Sequence, residues 1–268
     1  MAGGFKISKS LASGGFSCTY LAEDTKREGN PICVVKELMP ARRDPKFLQV
    51  ARRLFNTEAE ILAVLGKDPQ IRELFTFFEE NQEFYLVQKY ILGNTLSKRL
   101  TPEKGTKTGA YIVNLIQEIL EKLLYIHQRH LIHRDIKPSN IIRGSENNQL
   151  VLIDFGAVKL TQPRIDEETE LATVAIGTRG YSPPEQFAGH PRLSSDIYAL
   201  GMIGIQTITG TAPQEFPLHP ETGKIMWRQT TNVSNELAAI LDKMVCYNFS
   251  DRYQSATVVL QDLTSISY

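Results

Sequence analysis

The chain has 268 residues, with 30 lysines and arginines set against 30 aspartates and glutamates, a formal net charge of zero. That balance argues against nucleic acid as a partner, because polyanion binders carry surplus positive charge to neutralise phosphates. With 42% apolar and 22% charged residues, the composition is that of a chain able to bury a core, not of a disordered one.

No apolar run reaches the length a bilayer crossing needs, and the start, Met1 to Ser10, lacks the apolar stretch of a signal peptide. A cytoplasmic location without membrane contact is the expectation. Cys18, Cys33 and Cys246 are odd in number and lack metal-ligand spacing, which points to reduced thiols.

In chain order, short segments rich in aromatic and branched residues at 5–9, 17–23, 32–37, 74–79 and 83–90 read as strands separated by turn signals such as Glu28-Gly29-Asn30-Pro31. One helical pattern at 48–65 interrupts them, carried by Val50, Leu54, Phe55, Ile61, Leu62 and Leu65. The character changes near Leu92-Gly93-Asn94. Beyond it, helical periodicity dominates at 111–127, 195–209 and 235–247, broken by a strand pair at 141–143 and 150–153. An α+β chain is expected, with a small antiparallel β lobe holding one helix (1–92) and a larger α-helical lobe (93–268).

Leu11-Ala12-Ser13-Gly14-Gly15-Phe16-Ser17-Cys18-Thr19 suits a strand–loop–strand cover for phosphate oxygens, although Gly14-Gly15 alone is equally a hairpin turn. Ile32-Cys33-Val34-Val35-Lys36 ends an apolar strand on a lysine that needs an anionic partner if buried, and Glu58 follows on the helical segment. Then come His133-Arg134-Asp135-Ile136-Lys137-Pro138-Ser139-Asn140, Asp154-Phe155-Gly156 and Pro183-Pro184-Glu185. In order and spacing these motifs resemble a protein kinase catalytic domain, close to the eukaryotic-like Ser/Thr kinases of bacteria, over nearly the whole chain.

That resemblance implies ATP- and magnesium-dependent phosphorylation of Ser or Thr in protein substrates, with manganese as a substitute ion. It also allows self-association for autophosphorylation in trans. Lys36, oriented by Glu58, would hold the α and β phosphates; Asp154 and Asn140 would hold the metal ions. Asp135 would orient the incoming hydroxyl and accept its proton, Lys137 would steady the transferring group, and Thr178 would bond to both. Leu11, Ala12, Ser13, Gly14, Gly15, Phe16 and Ser17 would cover the nucleotide. Adenine would lie against Thr19, Val34 and Ile142, with its edge on the backbone of Lys89 and Ile91 and Gln88 as gatekeeper. Arg134 and Lys159 would receive a phosphate on the activation segment, where Thr173 is favoured over Thr161 and Thr169. His133, Phe155, Leu62 and Leu74 align with the family's hydrophobic stack, Glu185 and Arg252 with a buried pair, and Asp196 with the aspartate that supports the His-Arg-Asp loop.

The match is imperfect in the glycine loop, where Ala12 and Ser17 replace two of three glycines. Weakened nucleotide binding is expected there, and the loss leaves open an alternative, a pseudokinase-like scaffold; a small-molecule phosphotransferase is disfavoured by the segment from Gly177 to Glu185. Charge is locally segregated: Arg42, Arg43, Lys46, Arg52 and Arg53 precede or open the first helix, while residues 166–170 carry four acids. Both runs suit solvated faces, or docking of one on the other. Ser139 and Gln206 stand where kinases that prefer basic substrates often carry acids, so no basic preference is expected.

Overall fold

The branched and aromatic residues of the first third form five strands, β1 (Phe5–Ser13), β2 (Ser17–Asp24), β3 (Ile32–Leu38), β4 (Leu74–Glu80) and β5 (Glu83–Lys89), with helix α1 (Pro45–Leu65) after the third. In this computed structural model, residues 2–13, 17–40, 42–100, 107–156, 158–160 and 177–266 are described. The chain divides into two units, Met1–Gly93 with Gly144–Val151, and Asn94–Arg143 with Leu152–Tyr268.

In the first unit the five strands form an antiparallel sheet in the order β1-β2-β3-β5-β4. Side chains alternate between faces, so register decides which residues meet. Thr19, Lys36 and Leu86 are cross-strand neighbours on one face, and Cys18, Glu37 and Tyr85 on the other. The second face carries the apolar cluster Phe5, Ala22, Cys33, Val35, Tyr85 and Val87. Strand β1 runs four residues beyond the expected 5–9, because Ala12 and Ser13 continue the ladder opposite Thr19 and Cys18.

Helix α1 starts before the expected 48 because Asp44 caps it, accepting the Phe47 N–H at 3.1 Å, and Pro45 opens its first turn with a preset φ. Its buried stripe is Leu48, Phe55, Ala59, Leu62 and Leu65. Phe55 packs on Phe84 of β5, ring centroids 5.0 Å apart, and this sets the helix against the Lys36 face of the sheet.

In the rest of the chain β6 (Gly93–Thr95), α2 (Leu96–Arg99), α3 (Gly109–His127), β7 (Leu131–Ile132), β8 (Ile141–Gly144), β9 (Leu150–Leu152), β10 (Lys159–Leu160), α4 (Pro184–Phe187), α5 (Leu193–Thr209), α6 (Asn235–Met244) and α7 (Ala256–Thr264) follow in order. Helix α7 lies outside the sequence expectation. Helix α5 is apolar on almost every side and correspondingly buried, the mark of a central helix. Its neighbours approach so closely that a Cβ on Gly204 would lie 2.8 Å from Leu241 of α6 and 3.0 Å from Ile116 of α3. Among the described residues no helix is long and apolar enough to cross a membrane, and all three cysteines are free thiols.

Candidate active site

In the first unit the strand's one lysine finds its carboxylate. Lys36 Nζ stands 3.4 Å from Glu58 Oε1, with side chains only 12% and 10% exposed. Two charges this far out of water persist because each neutralises the other. Thr19 and Val34 share the Lys36 face of the sheet, as does Gln88, which is buried. Leu11, Ala12 and Ser13 lie exposed along β1, and Ser17 opens β2 opposite Leu38. Gly14, Gly15 and Phe16 fall outside the described residues. The side chain of Lys89 is exposed and its N–H donates to the Glu73 carbonyl at 2.9 Å, while Ile91 is half-buried.

The opposite face of the sheet holds a polar cluster that the sequence reading missed. Tyr20 Oη donates to Glu37 Oε2 at 3.0 Å, and Tyr85 Oη lies 2.8 Å from Glu37 Oε1 and 3.0 Å from Glu83 Oε2. Arg43 closes the chain on Glu83 at 3.0 Å. Burial first, then the two carboxylates, push the Tyr85 phenol well above its ordinary range. The basic run also has partners at home. Arg42 pairs with Asp44, and Arg52 donates to both oxygens of Glu79 at 2.6 Å, holding that carboxyl below its usual value. The acidic residues 166–170, the other half of the docking expectation, lie outside the described residues.

In the second unit the His-Arg-Asp loop hangs from one carboxylate. Asp196, in the first turn of α5, is 1% exposed and accepts the His133 N–H on Oδ2 and the Arg134 N–H on Oδ1, both at 2.9 Å. His127, at the end of α3, donates from Nε2 to the same Oδ2 at 2.9 Å. That residue escaped the sequence reading, though it stands six positions before His133. Burial lowers the His133 pKa despite nearby carboxylates; Nδ1 accepts the Asp135 N–H at 3.3 Å and the ring packs on Phe155 at 4.7 Å. Leu62 and Leu74, the remaining residues of the expected stack, lie in the first unit.

The loop delivers three groups to one place, and Thr178 from the segment beginning at Gly177 meets them there. Thr178 Oγ1 donates to Asp135 Oδ1 at 2.7 Å, Lys137 Nζ stands 2.8 Å from Asp135 Oδ2, and it donates to Thr178 Oγ1 at 2.9 Å. Asn140 Nδ2 donates to Asp135 Oδ2 at 2.8 Å and to the Asp135 carbonyl at 2.9 Å. With its nitrogen committed to Asp135, Asn140 keeps its side-chain oxygen Oδ1 as a hard donor of the kind magnesium selects. The Ile153 N–H donates to the backbone carbonyl of Asn140 at 2.9 Å, so Asp154 is held one residue from that contact. Asp154 takes a left-handed φ of 64°, costly for a residue with a Cβ. Asp154 and Asn140 are the residues here that could hold a cation, each with an oxygen donor, the shell being completed by water and phosphate oxygens. Ile142, on β8, is buried.

Arg134 is buried with a φ of 66°, and burial lowers its pKa. Lys159 pairs through its backbone with Ile132 in β10 and β7. Thr161, Thr169 and Thr173 lie outside the described residues. Two further residues beside the loop escaped the sequence reading, Ser182 and Gln186: Ser182 Oγ accepts the Thr178 N–H at 3.0 Å, and Gln186 Nε2 donates to the Arg134 carbonyl at 2.6 Å. Their only advance signal is position, inside and just after the segment from Gly177 to Glu185.

Comparison with known proteins agrees with this geometry. The family model described as protein kinase domain matches residues 5–263. Serine/threonine-protein kinase B of Synechocystis is 40% identical over 263 residues, covering 96% of this chain and 46% of its own length. Serine/threonine-protein kinase PknA of Nostoc is 39% identical, covering 97% and 46%. The chain thus spans about half the length of these curated relatives. In fold it is similar to the crystal structure of the Mycobacterium tuberculosis PknI kinase domain, with a TM-score of 0.71 at 23% identity over 98% of this chain and 96% of that one. An ordered set of kinase motifs, the carboxylate-supported loop around Asp135 and a family match across almost every residue converge on one conclusion: this chain belongs to the protein kinase domain family.

Proposed function

We propose that the chain transfers the γ-phosphoryl group of ATP to serine or threonine hydroxyls of proteins, itself included. The observation that carries this is the Thr178 hydroxyl set between Asp135 and Lys137 at 2.7 and 2.9 Å. A threonine there holds a carboxylate and an ammonium side by side, one to take a proton and one to meet phosphate. The relatives' printed names, serine/threonine-protein kinases, support the choice of acceptor.

Phosphoryl transfer asks little covalent chemistry of the protein, so positioning and charge carry the catalysis. Asp135 orients the acceptor hydroxyl; as its oxygen bonds to the γ-phosphorus and the bond to the leaving ADP oxygen breaks, the proton passes to the Asp135 carboxylate. Lys137 would steady the transferring oxygens, and Lys36, held by Glu58, would meet the α and β phosphates. Magnesium, or manganese in its place, would neutralise charge between phosphate oxygens, with Asp154 and the Asn140 side-chain oxygen as its protein ligands. The Nε of Arg134 is buried and has no hydrogen-bond partner among the described residues. We assign Arg134, with Lys159, to a regulatory phosphate, on Thr173 by preference.

A scaffold without activity rests on the two missing glycines alone, and the complete set Lys36, Glu58, Asp135, Asn140 and Asp154 weighs against it. The deciding experiment follows label from ATP into the chain with magnesium present, comparing the wild type with Asp135→Asn. Label in the wild type alone supports the proposal; label in neither removes it.

A further inference from the structure

Gln186, the residue after the buried Glu185, faces the catalytic loop instead of the anchor that Glu185 serves. It is 3% exposed, and its Nε2 donates to the Arg134 carbonyl at 2.6 Å and to Ser182 Oγ at 3.1 Å. An amide nitrogen carries two hydrogens, so one side chain can make both bonds. Ser182 Oγ accepts the Thr178 N–H at 3.0 Å, and Thr178 Oγ1 donates to Asp135 Oδ1 at 2.7 Å. The Arg134 carbonyl belongs to the peptide that joins Arg134 to Asp135. A ring of hydrogen bonds therefore leaves Asp135 through its backbone and returns to it through its carboxylate.

Two independent features mark the ring as built to close tolerance. Arg134 holds a left-handed φ of 66°, a conformation a residue with a Cβ keeps only when its surroundings impose it. Its carbonyl is the group that Gln186 grips. At Gly177, a Cβ would collide with Ser182 Oγ and stand 2.9 Å from Gln186 Nε2, so a side chain at that position would push the ring out of place.

We infer that Gln186, acting through Ser182, is a positioning residue that locks the Thr178 turn and the catalytic loop into one piece, so that the Asp135 carboxylate is aimed only while that turn is in place. This rests on the reading of Asp135 as the group that orients the acceptor hydroxyl. Gln186→Met keeps the length and removes the donors. With magnesium and ATP, and with casein or the chain itself as acceptor, kcat should fall roughly tenfold to a hundredfold, the loss that a displaced catalytic group brings. KM for ATP should stay within about twofold, because the groups assigned to ATP are untouched. The thermal midpoint should fall by only roughly a few degrees, the cost of leaving a buried carbonyl without its donor. Ser182→Ala should lower kcat in the same way and add little on top of Gln186→Met, since neighbours in one network are not additive.

A Gln186→Met enzyme with wild-type kcat, or two substitutions whose effects simply multiply, overturns the inference. Should Gln186→Met fail to fold, Ser182→Ala decides: lowered kcat at unchanged KM for ATP supports the ring, and unchanged kcat overturns it. Asp135→Asn measured alongside separates the two readings. Activity retained in Asp135→Asn defeats the role of Asp135, whereas an inactive Asp135→Asn beside a fully active Gln186→Met defeats only that of Gln186.

Discussion

Arg252 clasps Glu185 across 67 residues of chain with two hydrogen bonds, Nη1 to Oε1 at 2.6 Å and Nη2 to Oε2 at 3.0 Å. The two side chains are 0% and 8% exposed. Ser195 Oγ donates to the same carboxylate, and the carbonyls of Cys246 and Tyr247 accept from the same guanidinium. Removing one partner leaves a buried ion with nothing to neutralise it, a loss of about 3 to 5 kcal/mol. Arg252→Met should therefore lower the unfolding free energy by that amount in urea titration. The double variant Arg252→Met with Glu185→Leu should cost less than the sum of the two single changes; strict additivity would show that the pair does not act as a unit.

The Lys36–Glu58 contact predicts a catalytic loss beyond the stability lost when a shielded pair is broken. Glu58→Gln keeps shape but withdraws the charge that orients Lys36, and should lower kcat/KM for ATP on the order of tenfold or more. Arg52→Ala serves as the control on the same helix. Its pair with Glu79 is exposed, and surface pairs contribute little. Steady-state kinetics of both variants checks the contrast; equal losses would mean that α1 as a whole, and not the Glu58 charge, was disturbed.

His133 predicts a pH dependence of stability. Its folded pKa lies below the ordinary imidazole value because burial disfavours the charged ring. Above about pH 6.5 both folded and unfolded states are neutral at this residue and it adds no pH dependence. As pH falls below that value the unfolded chain takes up the proton while the folded chain does not, so stability drops until the lower folded pKa is reached. His133→Phe should flatten this part of the curve, apart from a pH-independent offset for the lost bond to the Asp135 N–H. Denaturation midpoints between pH 7.5 and pH 5 test it; parallel curves for the two proteins would refute it.

The groups assigned to chemistry were legible because they stand in short contiguous motifs: Asp135, Lys137 and Asn140 within six residues, Asp154 beside Phe155-Gly156, Lys36 at the end of an apolar strand. Gln186 and His127 were not, because each works through contacts made only when segments distant in sequence meet, and Ser182 was not because it acts only beside Gln186 and Thr178, four residues to either side. Gln186 reaches back 52 residues to the Arg134 carbonyl, and no local pattern announces that. Helix α7 buries only Ala256, Val259 and Leu263, too thin an apolar stripe to stand out. The basic run at 42–53 suited a solvated face or an acidic partner, and three of its arginines meet carboxylates of the helix cap, β5 and β4 that no local pattern pairs with them.

The carboxylate that supports the His-Arg-Asp loop sits on α5, the most enclosed helix of its unit. Loop amides ordinarily trade hydrogen for deuterium quickly, since local openings suffice to expose them. Those of His133 and Arg134 cannot be released without parting from Asp196, which is 1% exposed. Deuterium uptake at these two positions should accordingly follow the slow amides of α5 and not those of the exposed turn Ser145 to Gln149. The catalytic loop would then be irregular in shape but as durable as the core that carries it.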